Sequence, residues 1–200
     1  SIEYRLSDHP WPTTIQDVKS DIRFLRHHAN EYGIDPERFV AVGSSAGGHL
    51  ASMLGTSANH PAFLDEADPL GSVSDEVQAV VNFYGPSLLQ EMDADATQAG
   101  CPDTALCHSC ADSLESMMLD CQPTDCNERA NLASPVFHVD GSEPPFLTLH
   151  GMQDCTVPTP QGARLHTALI HAGGDSTLME VPNAGHDLQA CLAGENAQAV

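Results

Sequence analysis

Basic residues are scarce in this sequence, which has one lysine and six arginines against 28 aspartates and glutamates. The formal net charge of -21 gives a surface that repels nucleic acids and anionic membranes. Long apolar runs are also missing, since no stretch approaches the roughly 18 apolar residues of a membrane-spanning helix. No signal-peptide pattern opens the sequence. We therefore expect neither a nucleic acid nor a membrane as a partner.

Predicted strands and helices alternate along the chain, which is typical of a parallel sheet with crossover helices. The pattern predicts one α/β domain over residues 1–200, with a mostly parallel sheet and flanking helices. The predicted strands are SIEYRL, RFVAV, residues 77–83, PPFLTLHG and STLMEV. Because SIEYRL begins at residue 1, we expect the chain to start inside its fold, as a mature or truncated segment.

The predicted helices are amphipathic segments bounded by turn residues. Thr14 and Asp17 have the spacing of a capping box, so Thr14 is predicted to cap the first helix. Gly33 is predicted to end it. Further helices are predicted over residues 45–54 and 161–172, with a short one after His186.

Residues 86–133 interrupt this alternation and contain five of the seven cysteines, at positions 101, 107, 110, 121 and 126. A segment of this length is too long for a bare connection in a compact domain. We therefore predict that residues 86–133 form a cysteine-rich cap or functional insertion within the domain.

The clustered cysteines allow two interpretations. Cysteines in a loop-rich segment favour disulfides and an oxidising compartment, which predicts a secreted or periplasmic protein. The sequence from Cys107 to Cys110 has C-x-x-C spacing with a histidine inside it, which also fits a zinc site. No second C-x-x-C follows, so we favour disulfides and predict no metal. With seven cysteines, at least one thiol stays free or pairs outside the chain.

A glycine-rich turn lies between the predicted strand RFVAV and the following helix. The pattern G-x-S-x-G fits this turn in one frame only, which reads Gly43-Ser44-Ser45-Ala46-Gly47. Small flanking residues let such a turn close, and its serine oxygen projects at the positive N-terminal end of the helix. Ser45 is therefore the candidate nucleophile, and Ser44 is predicted to be a packing residue. A purely structural glycine turn is the alternative.

A serine nucleophile needs a general base and a carboxylate that orients the base. Asp154 follows the predicted strand PPFLTLHG, and His186 follows the predicted strand STLMEV. Both lie at the carboxyl ends of strands, where open parallel sheets build their sites. The chain order Ser45, Asp154, His186 is the order that this architecture uses. Since Cys155 and Cys191 flank these two residues, we predict a Cys155–Cys191 disulfide that fastens the acid loop to the histidine loop.

These motifs resemble those of α/β-hydrolases, in the esterase branch of acetylxylan esterases, feruloyl esterases and related small carboxylesterases. The matching segments, which lie outside the cysteine-rich insertion, include GSSAGGHLASML, AVVNFYGP, LTLHGMQDCTVP and VPNAGH. The resemblance implies that Ser45 is the nucleophile, His186 the general base and acid, and Asp154 its orienting carboxylate. It also implies that the backbone N–H of Ala46 is one oxyanion donor, with Gly43 and Gly47 shaping the nucleophile elbow.

The sequence departs from this family at its beginning. Relatives carry three strands ahead of SIEYRL and a His-Gly-Gly-Gly-type loop that supplies a second oxyanion donor, and this sequence has neither. One possibility is that SIEYRL pairs with RFVAV in a five-stranded sheet whose bare outer edge recruits a second copy, giving a homodimer. The alternative is that a separate upstream segment completes the fold.

The pattern as a whole predicts a serine carboxylesterase that acts on short acyl or aromatic esters, such as those on plant polysaccharides. This chemistry needs no cofactor and no metal. A prolyl-oligopeptidase-like peptidase or a kynurenine-formamidase-like amidase is the alternative within hydrolases. A non-catalytic, incomplete hydrolase module is the alternative outside enzymes.

Overall fold

A computed structural model describes residues 1–6, 10–102, 105–193 and 198–199 of the chain. A five-stranded sheet has the order β1-β2-β3-β4-β5, in which β1 to β4 are parallel and β5 is antiparallel to β4. The strands are β1 (Val40–Ser44), β2 (Ala79–Phe83), β3 (Phe146–Gly151), β4 (Ser176–Val181) and β5 (Gln198–Ala199). The predicted fold class, a mostly parallel sheet with flanking helices, is confirmed.

Eight α-helices lie in the described part of the chain. They are α1 (Thr13–His27), α2 (Ala29–Tyr32), α3 (Ala46–Thr56), α4 (Met92–Gln98), α5 (Leu114–Leu119), α6 (Asn127–Leu132), α7 (Pro160–His171) and α8 (Leu188–Ala193). Short 3-10 turns occur at Pro61–Phe63, Leu89–Glu91 and Pro135–His138. None of the described helices has the length and apolarity needed to cross a membrane.

Successive side chains of a strand point to opposite faces of the sheet, so the apolar core is divided into two clusters, one on each face. The larger cluster contains Val80 and Phe146 together with buried residues of α1, α3 and α7, among them Ile15, Met53 and Leu165. The smaller cluster lies against the other face and contains Phe83, Leu149, Val181 and Cys191. Since both faces of β2 and β3 are covered, these strands are apolar almost throughout.

Residues 1–6 do not form the predicted strand. The backbone N–H of Arg5 donates to Asp17 Oδ2 (2.9 Å), and Thr14 Oγ1 donates to the Arg5 carbonyl (3.3 Å). Both side chains of the predicted capping box are therefore engaged by Arg5, and α1 begins at Thr13 with no side-chain cap. The predictions of a strand at SIEYRL and of a capping box at Thr14 are wrong, because tertiary contacts take up the same polar groups. Gly33 ends the helical region in a left-handed conformation, φ 65°, as predicted.

The bare edge of the sheet belongs to β1. Val40 and Val42 are 55% and 63% exposed, and β1 pairs with β2 alone among the described strands. The predicted pairing of SIEYRL with RFVAV is wrong, because the fifth strand is β5 at the opposite edge. Association of two copies through the edge of β1 stays a prediction.

The cysteine-rich segment, residues 86–133, contains α4, α5 and α6 and is anchored at several points. Leu119 and Ala130 are fully buried in the larger core cluster. On α4, the buried carboxylate of Asp95 accepts hydrogen bonds from Gln161 Nε2 (2.7 Å) and Arg164 Nε (2.8 Å) on α7. The segment therefore packs on the same core as the sheet, while its role as a cap stays a prediction.

The only lysine of the chain is buried. The side chain of Lys19, on α1, is 0% exposed, and its Nζ donates to the Ser57 carbonyl (2.6 Å) and pairs with Asp75 Oδ1 (3.1 Å). Arg23 pairs with the other oxygen of Asp75. Burial lowers the pKa of Lys19, and the charge of Asp75 opposes that change. This buried ion cluster fixes α1 against the loop that precedes β2.

Candidate active site

The turn between β1 and α3 places Ser45 in a strained backbone conformation. Its φ of 56° and ψ of -123° lie in a region that non-glycine residues rarely adopt, at a cost of about 1–3 kcal/mol. Two backbone hydrogen bonds hold it there: Ser45 N–H donates to the Phe83 carbonyl (3.0 Å), and the Ser45 carbonyl accepts from His49 N–H (3.0 Å). The predicted sharp turn from strand to helix is present.

Close backbone approaches explain some glycines of this turn. A Cβ added at Gly43 would lie 2.0 Å from the Gly47 carbonyl oxygen, so no side chain fits there. A Cβ added at Gly47 would meet nothing within 4 Å, so the structure gives no steric reason for the second predicted glycine. Gly48 and Gly85, which sequence reasoning missed, are also required. A Cβ at Gly85 would lie 2.4 Å from the Gly48 carbonyl carbon.

The two predicted elbow glycines form a matched pair for mutagenesis. We expect Gly43→Ala to lower the free energy of unfolding by about 3 kcal/mol, the upper part of the range for overpacked sites, since the clash is with backbone. Gly47→Ala should raise it by up to ~1 kcal/mol, because alanine is the better helix former. Urea denaturation of both variants measures the difference. Equal destabilisation of the two variants would contradict this description of the elbow.

The three predicted catalytic side chains meet at the carboxyl ends of β1, β3 and β4. His186 Nε2 lies 2.9 Å from Ser45 Oγ, and His186 Nδ1 lies 2.7 Å from Asp154 Oδ2. Because an ionised carboxylate only accepts hydrogen bonds, Nδ1 carries the proton that is donated to Asp154. Nε2 then accepts the hydrogen bond of the Ser45 hydroxyl. The geometry is a continuous relay from carboxylate to imidazole to hydroxyl.

The loop after β3, the acid loop, orients the buried carboxylate of Asp154. Asp154 Oδ1 accepts from the backbone N–H groups of Thr156 (2.9 Å) and Val157 (2.9 Å), which leaves Oδ2 for His186. His150, fully buried at the end of β3, contacts the Val157 carbonyl through Nε2 (2.8 Å). Burial lowers the pKa of His150, so the neutral imidazole donates this bond and supports the acid loop.

The loop after β4, the histidine loop, is fixed directly to the acid loop. Gln153 N–H donates to the Ala184 carbonyl (2.8 Å), and Met152 N–H donates to the Val181 carbonyl (3.0 Å). Asp187, which follows the histidine, accepts from Gln189 N–H (2.8 Å) and so caps α8 instead of orienting His186. Asp154 is thus the carboxylate that the structure places on the imidazole.

Sequence reasoning missed Tyr84, which lies beside the relay. Its ring centroid is 4.4 Å from that of His186, and its φ is 45°. Burial raises the pKa of Tyr84, and a side-chain hydrogen bond with Ser44 opposes that change. Ser44 is therefore linked to the site through Tyr84, while its packing role stays a prediction. The signal in the sequence was the run NFYGP, where the apolar strand predicted over residues 77–83 ends.

The predicted Cys155–Cys191 disulfide is wrong. Cys155 is bonded to Cys101, which follows α4, so the disulfide ties the acid loop to the cysteine-rich segment. Cys191 is a free thiol, 1% exposed, because α8 turns it into the smaller core cluster. The other disulfides are Cys107–Cys110 and Cys121–Cys126. The two cysteines of the C-x-x-C sequence therefore form a disulfide, which is the interpretation that we favoured over a zinc site.

Ala46, the predicted oxyanion donor, is the first residue of α3. The N–H groups in the first turn of a helix have no carbonyl partner within the helix, and the helix dipole places positive charge there. The N–H of Ala46 is therefore at an end of α3 that suits a negatively charged oxygen next to Ser45. Its role as an oxyanion donor stays a prediction.

Sequence comparison relates the chain to a known family and to named ester hydrolases. The BD-FAE family model matches residues 1–169. Esterase LipC of Mycobacterium tuberculosis is 34% identical over 206 residues, which cover 100% of this chain and 48% of LipC. The probable carboxylic ester hydrolase LipM of the same organism is 37% identical over 166 residues, covering 80% of this chain and 35% of LipM. The chain thus spans about half, or less, of these relatives.

Two solved structures of esterases are also similar to this chain. A truncated carbohydrate esterase from gut microbiota is 29% identical and superposes with a TM-score of 0.84, covering 96% of this chain and 70% of that one. The acetyl ester-xyloside bifunctional hydrolase of Caldicellulosiruptor lactoaceticus is 25% identical, with a TM-score of 0.74 and coverage of 97% and 63%. By its sequence match and its architecture, the chain belongs to the BD-FAE family and has the α/β-hydrolase fold.

Proposed function

We propose that this protein is a serine carboxylesterase in which Ser45 is the nucleophile, His186 the general base and acid, and Asp154 the orienting carboxylate. The observation that carries the proposal is the unbroken relay, with 2.9 Å between Ser45 Oγ and His186 Nε2 and 2.7 Å between His186 Nδ1 and Asp154 Oδ2. A nucleophile in contact with a base, and a base in contact with its orienter, is the arrangement that acyl transfer requires.

Acylation begins when Ser45 Oγ attacks the ester carbonyl carbon and its proton passes to His186 Nε2. The tetrahedral intermediate collapses, the bond to the alcohol oxygen breaks, and His186 gives the proton to the departing alkoxide. A water molecule then loses a proton to His186 and attacks the acyl carbon. The carboxylic acid leaves, and Ser45 Oγ recovers its proton.

The N–H of Ala46 donates to the oxyanion that forms in each half of the reaction. A second donor is not assigned, since the sequence has no His-Gly-Gly-Gly loop. Removal of one such donor costs about 10²- to 10³-fold in turnover in a well-studied hydrolase.

The substrates are short acyl esters, with acetyl groups on carbohydrates foremost. Support comes from two structural neighbours, which are described as a carbohydrate esterase and as an acetyl ester-xyloside hydrolase. Feruloyl esters are the second substrate class within the same chemistry, and the BD-FAE match does not distinguish the two. Three disulfides among the described cysteines support a secreted or periplasmic location.

A substrate comparison tests this proposal. We expect p-nitrophenyl acetate and acetylated xylan to be hydrolysed with a kcat/KM at least tenfold above that for methyl ferulate, measured by p-nitrophenol, acetate and ferulate release. A higher kcat/KM for methyl ferulate would overturn the assignment of acetyl esters as substrates, while the assignment of esterase activity would stand. Rates equal to those of the Ser45→Ala variant on every ester would instead indicate a non-catalytic module.

A further inference from the structure

The disulfide Cys107–Cys110 differs from the other two in exposure and in ring length. Both of its cysteines are exposed, whereas Cys101, Cys155, Cys121 and Cys126 are all half-buried. It joins residues three apart, against separations of 54 and five for the others. Because loop-closure entropy grows with ring length, this disulfide restrains the unfolded chain least of the three.

Hydrogen bonds hold the Cys107–Cys110 loop in place independently of its sulfur bond. Asp93, in the first turn of α4, accepts from the backbone N–H groups of His108 (2.7 Å) and Ser109 (2.9 Å). The Cys110 carbonyl accepts from Ser113 N–H (3.0 Å) and from Ser116 Oγ (2.7 Å). Opening the disulfide would therefore leave two thiols close together in a preorganised loop.

A buried histidine lies inside this loop. His108 is 3% exposed, and its Nδ1 contacts Glu115 Oε1 at 2.9 Å. Burial alone would lower the pKa of His108, but the hydrogen bond and charge of Glu115, with the charge of Asp93, raise it. Its Nε2 is buried and has no hydrogen-bond partner among the described residues. His108 follows Cys107 directly in the chain, and a cationic imidazole near a cysteine favours its thiolate and so the reduced form. Exposed disulfides such as Cys107–Cys110 are also the more easily reduced ones.

We propose that Cys107–Cys110 is a redox-active disulfide that exchanges with dithiols at the surface of the cysteine-rich segment. A thiolate of the dithiol attacks one sulfur, the Cys107–Cys110 bond breaks, and the other cysteine leaves as a thiolate beside His108. The second thiol of the dithiol then resolves the mixed disulfide. The dithiol is oxidised to its disulfide by two electrons, and Cys107 and Cys110 are reduced.

Redox titration with dithiothreitol tests the exchange, with Cys121–Cys126 as an internal control because its ring is also short. Aliquots equilibrated at graded ratios of reduced to oxidised reagent are quenched with iodoacetamide, and the alkylated cysteines are mapped by mass spectrometry. We expect Cys107–Cys110 to be half-reduced at a ratio at least tenfold lower than Cys121–Cys126. Reduction of the two pairs at the same ratio would overturn the proposal.

The role of His108 is tested on the reduced pair by its alkylation rate at pH 6. His108→Gln should lower that rate at least fivefold, since it removes the cationic imidazole. Glu115→Gln should lower it as well, because the imidazole loses the partner that raises its pKa and becomes neutral. His27→Gln, at the exposed last residue of α1, should leave it unchanged. If His108→Gln fails to fold, Glu115→Gln decides alone. Unchanged rates in the folded variants would overturn the assignment of His108.

Discussion

Replacing Ser45 with alanine is expected to lower kcat/KM for p-nitrophenyl acetate by about 10⁴- to 10⁶-fold. The variant keeps the fold but loses the only oxygen that His186 Nε2 contacts in the relay, at 2.9 Å. Without a nucleophile no acyl-enzyme forms, and the residual rate reflects binding and the oxyanion donor alone. The substitution does not change the backbone strain, because alanine at a φ of 56° is as disfavoured as serine. The strained turn is therefore retained.

Ser44→Ala is the matched control, because it removes a neighbouring hydroxyl from the same turn. His186 Nε2 contacts the hydroxyl of Ser45, so we expect the loss of the Ser44 hydroxyl to lower kcat/KM by less than tenfold. Initial rates with p-nitrophenyl acetate, together with near-ultraviolet circular dichroism, separate lost chemistry from lost fold. Comparable losses in both variants would remove the assignment of Ser45 as the nucleophile.

Asp154→Asn is expected to lower kcat by about 10⁴-fold while leaving the fold intact. The carboxylate accepts the Nδ1 proton of His186 at 2.7 Å. An asparagine amide that donates at this position favours the opposite tautomer, in which Nε2 carries the proton and cannot accept one from Ser45. The imidazolium that forms during the reaction also loses its neutralising charge.

Asp187→Asn supplies the control for this second variant. Asp187 adjoins His186 in sequence, but its carboxylate caps α8 through Gln189 N–H. We therefore expect a change of less than threefold in kcat and little change in stability, because asparagine and aspartate cap helices about equally well. A large loss in Asp187→Asn and none in Asp154→Asn would reverse the assignment of the orienting carboxylate.

The convergence of the three candidate side chains was more predictable than the contacts around them, for a physical reason. The elbow and the two loops depend on local patterns, because a buried strand followed by a turn places the next polar residue at the same edge of a parallel sheet. Ser45, Asp154 and His186 could thus be chosen from sequence alone. The close approach between Gly48 and Gly85 could not, since it joins two segments whose distance depends on how α3 packs against β2.

The wrong predictions all concerned contacts between distant segments. SIEYRL has the composition of a strand, yet Arg5 is bound by side chains of α1, and the backbone there makes no ladder. Cys191 is near His186 in sequence, but the direction of α8 decides that its thiol enters the core. The partner of Cys155 is Cys101, 54 residues away, and no local signal carries that information.

The burial of Lys19 has a practical consequence for handling this protein. With its single lysine sealed inside the ion cluster with Asp75 and Arg23, the native molecule offers no side-chain amine to acylating dyes, cross-linkers or resin coupling. Uptake of an amine-reactive label at Lys19 would consequently report opening of the interior. The same residue that makes ordinary conjugation inefficient thus serves as a built-in probe of unfolding.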